Sequence, residues 1–430
     1  MAQGAAADTD ADAMPLLAAR TESAEPWRKR NMFPFAFAAL ASMTTVLMGY
    51  NLAVMSGAEL FIREDLGLTD EQVEVLAGSM NVYMLASILA AGWAADVLGR
   101  RGALVLANAF LVAGALAMSL GGGFAALVAA RFVTGVGVGL ALVVAPVYNA
   151  EIAPASTRGV LSSLLDIFIN VGILLGYVSN YAFAGLPLRH GWRVMYAIGV
   201  FPPVLIAAGV LMMPESPRWL TLRGRDADAR AVLVRTSDTV GEADLRLDEI
   251  KQAVTAPQDD GGGVWKELLI RPSATVRRKL ICVVGLQFFQ EASGIEAIVL
   301  YSPLVFRHAG MSSDAAVLGA TVAVGVVKTI FILVATFLSD RLGRRPLLLA
   351  STAGVAATMA SLAAALCVGA TSACVASVLG FVVAFSVGFG PLVPAYSAEI
   401  LPLRLRAQGT GIGTAVGRLT CGLVSMTCLF

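Results

Sequence analysis

Apolar and polar positions alternate in long blocks. Eleven apolar runs lie near 33–58, 74–95, 103–122, 125–150, 160–184, 194–213, 280–306, 315–338, 347–368, 374–397 and 408–430. Each is close to the ~20 residues that a helix needs to cross the hydrocarbon core of a bilayer. Trp27-Arg28-Lys29-Arg30 precedes the first run and fixes the amino terminus on the cytosolic side. Alternating the loops from there puts Arg100, Arg101, Arg158, Arg341, Arg344, Arg345, Arg404 and Arg406 inside, and Arg63, Arg189, Arg193 and Arg307 outside. The expected fold is an all-α integral membrane protein with about eleven spans.

Two stretches escape the pattern. Residues 1–30 are rich in Ala, Asp, Glu and Thr, lack a signal-peptide pattern, and read as a disordered cytosolic tail. Asp12 to Leu17 within it fits a loose acidic di-leucine sorting pattern, although a plain tail carries most of the weight. Residues 214–279 divide a first transmembrane half, 31–213, from a second, 280–430. Helical spacing over Arg225 to Ser237 and Glu242 to Val254 predicts short amphipathic helices in this linker.

One apolar run contains groups that lipid does not tolerate. Gln287 to Tyr301 reads QFFQEASGIEAIVLY and carries Gln290, Glu291 and Glu296. An acid at the centre of a membrane helix costs about 2.5 to 3.5 kcal/mol, so these side chains must face a wet cavity or a partner. On a regular helix five steps of about 100° separate Glu291 from Glu296 by about 140°. Both reach one cavity if Ser293-Gly294 interrupts the helix, because glycine accepts unwound backbone. Lys328 is a cation inside another run, and its expected partner is Glu291 or Glu296.

The halves repeat one another. DVLGRR, with Asp96, Arg100 and Arg101, recurs as DRLGRR, with Asp340, Arg344 and Arg345. Glu151 with Arg158 recurs at nearly the same shift as Glu399 with Arg406. Two motifs moved together mark a parallel duplication, the plan of the major facilitator fold. These carboxylates and guanidinium groups sit at cytosolic helix ends, where they can bridge neighbouring helices when the inner side is closed and part when it opens.

Composition agrees. The chain is 57% hydrophobic and 14% charged, with a mean hydropathy of +0.76, which places it outside soluble globular proteins. A net charge of +1 gives no basic face for nucleic acid. The five cysteines show no CxxC spacing and the two histidines fall in loops, so no metal cluster is expected. No nucleophile constellation or phosphate-cradling loop argues for an enzyme, and Gly135, Gly137 and Gly139 read as small-residue helix packing.

DVLGRR, DRLGRR, PESPRWL at Pro214 to Leu220 and YSAEILPLRLRAQG at Tyr396 to Gly409 resemble the sugar porter family of the major facilitator superfamily. QFFQEASGIEAIVLYSP and GILLGYVSNYAF at Gly172 to Phe183 resemble plant polyol and monosaccharide transporters in particular. The resemblance implies a plasma-membrane carrier that moves polyols or monosaccharides by alternating access, with protons as co-substrate and no cofactor; a vacuolar membrane is the alternative. It places substrate contacts on Asn51, Asp166, Gln290, Glu291, Glu296 and Lys328, and an outer-gate aromatic on Tyr301.

Departures from the family pattern bear on coupling. Asn51 stands where proton-coupled members carry an aspartate, and an amide cannot titrate. Facilitated diffusion therefore stands beside proton symport. Pro394 replaces a common tryptophan, Gly417 an asparagine, and the eleventh run is the last before Phe430. A non-transporting paralogue acting as sensor or partner is the third reading these features leave open.

Overall fold

The structure, a computed structural model, describes residues 32–153, 158–255, 268, 272–401 and 405–427. The tail at 1–30 with its sorting pattern lies outside the described residues, as do the side chains of Arg158, Asp340 and Arg406.

Every described element is a helix. The first half comprises α1 (Phe33–Leu66), α2 (Asp70–Leu120), α3 (Phe124–Ile152), α4 (Arg158–Phe183), α5 (Leu188–Ile198) and α6 (Phe201–Met212). The linker holds α7 (Pro217–Leu222), α8 (Asp226–Thr236) and α9 (Val240–Thr255). The second half comprises α10 (Ala274–Ala292), α11 (Ile295–His308), α12 (Asp314–Leu342), α13 (Arg344–Val368), α14 (Thr371–Val387), α15 (Phe389–Ile400) and α16 (Arg406–Thr427).

Nine described helical segments are long and apolar enough to cross a membrane, against eleven runs in the sequence. The 51 residues of α2 would measure about 77 Å, more than twice the hydrocarbon thickness, so α2 contains two runs. They meet at Gly99, whose φ of 82° and ψ of 164° turn the chain back. The other run, α16, carries Arg418 and falls short on hydropathy. Gly343, between α12 and α13, has φ 80° and ψ 163°. The repeated Asp-x-x-Gly-Arg-Arg motif thus folds alike in both halves, at a backbone conformation that only glycine adopts readily.

Within the first half, α1 and α4 cross with their backbones in contact. A Cβ on Gly49 would collide with the Ile169 carbonyl, and one on Gly172 with the Val46 carbonyl. Such small-residue crossings let membrane helices pack without a hydrophobic driving force. Gly135 and Gly139 bring α3 against one limb of α2 and Gly137 brings it against the other.

The halves meet through α4 with α12, α2 with α16, and α1 with α11. The Tyr177 hydroxyl of α4 donates to the Val299 carbonyl of α11 at 2.6 Å, and Gly78 of α2 admits Met426 of α16. Both contacts lie toward the end where α1 finishes and α2 begins, which the arginine distribution assigns to the outer side.

In the linker, the Ser216 hydroxyl accepts from the Trp219 N–H at 3.3 Å and caps α7. Leu220, Ala229, Val232, Leu233, Ala243 and Leu247 form a small core of their own. Arg230 holds both Asp244 oxygens, at 2.7 and 3.2 Å, and these hydrogen bonds lower the Asp244 carboxyl below its ordinary range.

Candidate functional site

The run that begins at Leu280 is broken where glycine allows. Here α10 ends at Ala292, Gly294 adopts φ 84° and ψ 16°, and α11 begins at Ile295. Glu291 sits in the last turn of α10 and Glu296 in the first turn of α11. The interruption lets two carboxylates that a continuous helix would aim apart approach one another.

A second break supports the first. Between α14 and α15, Gly388 leaves the helical region with φ −131° and ψ −72°. The Phe389 and Gly390 carbonyls accept from Gln290 Nε2 at 3.0 and 3.3 Å. Gln290 therefore ties one interrupted helix to another and is buried there.

The acids converge on an arginine that the sequence reading passed over. Arg418 Nη1 lies 3.3 Å from Glu296 Oε1, with the two side chains 17% and 16% exposed. Glu291 and Lys328 also face Arg418 within the second half. From the first half the charge that faces Arg418 is Asp166, on α4, and Asp166 is itself open to solvent. Three acids and Lys328, from both halves, thus gather around Arg418. Glu291 Oε2 and Glu296 Oε2 have no hydrogen-bond partner among the described residues.

Lys328 faces Glu296 and Glu291, the two acids expected to partner it, without touching either. No ion pair within 4.0 Å forms on Lys328 among the described residues, because the guanidinium of Arg418, reaching in from α16, takes Glu296. Arg418 was findable by the rule that singled out Lys328, since it too is a lone cation inside an apolar run. Glu291, Glu296 and Cys421 hold potential ligand atoms within 4.8 Å of one another, but Arg418 already supplies positive charge to that cluster.

Two other expected contacts are occupied within the protein. Asn51 Nδ2 donates to the Leu47 carbonyl at 2.8 Å, turning the amide back onto its own helix. The Tyr301 hydroxyl donates to the Ser425 carbonyl at 2.7 Å and joins α11 to α16. Gly417 brings α16 close against α10, since a Cβ there would stand 3.1 Å from Gln287 Oε1, tighter than ordinary contact, and 3.5 Å from Glu291 Cγ.

At the helix ends beside the reversal glycines the repeated charges form pairs of unequal quality. Arg100 grips Glu151 through two hydrogen bonds, at 2.9 and 3.1 Å, with both side chains 8% exposed. It also reaches Asp96 at 3.0 Å. Glu215 accepts from the backbone N–H groups of Arg100 and Arg101 at 2.9 and 3.1 Å, and Arg101 Nη1 donates to the Met213 carbonyl at 3.2 Å. In the second half Arg344 meets Glu399 at 2.9 Å with the side chains 32% and 54% exposed, while Arg345 is exposed. Both pairs lie within a half. Arg158, Asp340 and Arg406 lie outside the described side chains.

Residues 37–430 match the profile of the family described as sugar (and other) transporter. The chain is 51% identical over 423 residues to polyol transporter 5 of Arabidopsis thaliana, covering 93% of this chain and 78% of that protein. Among solved structures, the partially occluded inward-open conformation of the xylose transporter XylE from E. coli superposes with a TM-score of 0.79 at 27% identity, covering 92% of this chain and 90% of that one. The proton:xylose symporter XylE bound to 6-bromo-6-deoxy-D-glucose gives a TM-score of 0.77 at 27% identity, covering 91% and 87%.

Proposed function

The chain belongs to the sugar transporter family and has the major facilitator fold, and on that premise we propose that it carries a polyol or monosaccharide through the space framed by Asp166, Glu291, Glu296, Lys328 and Arg418. It is a multi-pass membrane transporter, not an enzyme. The observation that supports the assignment is the convergence of acids from both halves on Arg418.

The chemistry suits a neutral polyhydroxyl ligand. Sugar hydroxyls donate to the spare oxygens of Glu291 and Glu296 and accept from Arg418 and Lys328, and charge-assisted bonds of this kind are roughly twice as strong as neutral ones. Gln290 and Glu291 border the break between α10 and α11, so rocking of one half against the other alters the very residues that hold the ligand. The pairs Arg100–Glu151 and Arg344–Glu399 brace the cytosolic ends of each half during that movement. Residence in the plasma membrane accompanies this reading.

Uptake of labelled sorbitol, myo-inositol and xylose into cells lacking their own carriers tests it. Saturable uptake of one class, slowed at least tenfold by Glu296→Gln, is expected; no uptake of any of them removes the assignment. A protonophore in the same assay separates symport from facilitated diffusion.

A further inference from the structure

Glu59 lies two turns beyond Asn51 on α1 and is 1% exposed. Neither of its carboxylate oxygens has a hydrogen-bond partner among the described residues. The charge that faces it is Arg131 of α3, also 1% exposed. Arg131 Nη1 lies 3.5 Å from the Asn51 carbonyl oxygen and 3.4 Å from Met80 Sδ, while its Nε has no partner. No ion pair within 4.0 Å joins Glu59 to Arg131. Tyr177 of α4 and Tyr196 of α5 also face Glu59. Tyr301 of α11 shares the apolar cluster that contains Ala58, and α2 contributes Met80 and, nearer its start, the buried Glu74.

A carboxylate buried without hydrogen bonds costs several kcal/mol and is relieved by taking up a proton. A guanidinium close by, with its Nε unpartnered, gives the same group a partner once the proton leaves and the helices shift. Glu59 and Arg131 therefore have two settings, an uncharged acid beside an Arg131 held on the Asn51 carbonyl and Met80, and a closed ion pair. Asn51, two turns away, offers no titratable group.

We propose that Glu59, opposed by Arg131, is the proton-carrying carboxyl of the amino-terminal half, which makes this carrier a symporter although Asn51 cannot hold a proton. The proposal rests on the transport reading given above. A hydronium ion on the outer side gives its proton to a Glu59 oxygen and leaves water. On the inner side the acid returns the proton to water, and the carboxylate closes on Arg131. No other bond is made or broken, and one proton crosses with each substrate.

The test uses the full chain in proteoliposomes with labelled sorbitol, or whichever substrate of the uptake panel the chain carries. Exchange at equal pH on both sides is measured beside accumulation driven by an inside-alkaline gradient. The wild type is expected to approach about tenfold accumulation per pH unit, the ratio set by one proton per substrate. With Glu59→Gln the ratio falls to one and exchange stops varying with pH. Adding Asn51→Asp to that variant, which puts a carboxylate on the residue whose backbone carbonyl Arg131 reaches, restores accumulation. Accumulation that survives Glu59→Gln overturns the proposal, as does wild-type exchange without accumulation. Absence of exchange in the wild type removes the transport reading itself. If Glu59→Gln abolishes exchange altogether, Glu59→Asp decides: a shifted pH profile supports the assignment and an unshifted one overturns it.

Discussion

Arg418 on α16 and Glu296 on α11 stand 3.3 Å apart at the centre of the second half, each about one-sixth exposed. Neither is free to act alone. Removing one strips the other of its nearest partner in a partly desolvated place, so Glu296→Gln and Arg418→Gln are each expected to lower transport efficiency by about 10- to 100-fold. The double substitution should cost less than the product of the two. Initial uptake rates for the single and double variants form the cycle that checks this, and strict additivity would refute the coupling.

The two reversal glycines give a matched pair. Gly99 and Gly343 share the same backbone conformation, but a Cβ on Gly99 would strike the Glu215 carboxylate whereas one on Gly343 meets nothing within 4 Å. Gly343→Ala is expected to cost about 1 to 3 kcal/mol through backbone strain alone. Gly99→Ala should cost more, because it also displaces the acceptor of the Arg100 and Arg101 N–H groups. Thermal unfolding in detergent ranks the two; equal losses would show that the Glu215 contact contributes nothing.

The cytosolic pairs should separate by burial. Glu151 and Arg100 are 8% exposed and doubly bonded, so Glu151→Gln is expected to destabilise by about 3 kcal/mol. Glu399→Gln removes a pair whose members are 32% and 54% exposed, and the expected loss is below about 1 kcal/mol. Unfolding midpoints of both variants in low salt and in high salt test the ranking, with salt affecting only the second pair appreciably.

Gly417 lets α16 approach Gln287 and Glu291 closely, because even a Cβ there would crowd Gln287 Oε1 at 3.1 Å. Gly417→Asn is expected to push Gln287 aside and, at a cost of about 1 kcal/mol, to raise the apparent KM about fivefold. Bulkier substrates should lose uptake in the same variant. A substrate panel with unchanged KM values throughout would place Gly417 away from the ligand.

Much of this was legible because membrane helices penalise polar groups so heavily. Ser293-Gly294 announced the break between α10 and α11, and the linker helices fell within a few residues of their spacing pattern. Lys328 reads from the sequence as a cation among acids and faces Glu296 and Glu291, but the closer approach of Arg418 to Glu296 depends on the placement of α16, which a one-dimensional pattern does not carry. Glu59 was missed for a related reason: the first apolar run was closed one residue short of it, at 58, and α1 extends to Leu66. Arg131 and Arg418 carry no motif, only the anomaly of a charge where lipid should be.

The linker is fastened to one side of the molecule. Arg246 of α9 donates to the Glu151, Ile152 and Ala153 carbonyls at the end of α3, at 3.4, 3.3 and 3.2 Å. The Trp219 indole N–H donates to the Asp96 carbonyl at 2.9 Å, and the Arg235 guanidinium lies over the rings of Phe33 and Phe37. When the amino-terminal half tilts, α8 and α9 must sweep with it like a lever fixed at one end. A fluorophore on the outer surface of α9, paired with one on α13, would register each turnover from outside the ligand's path.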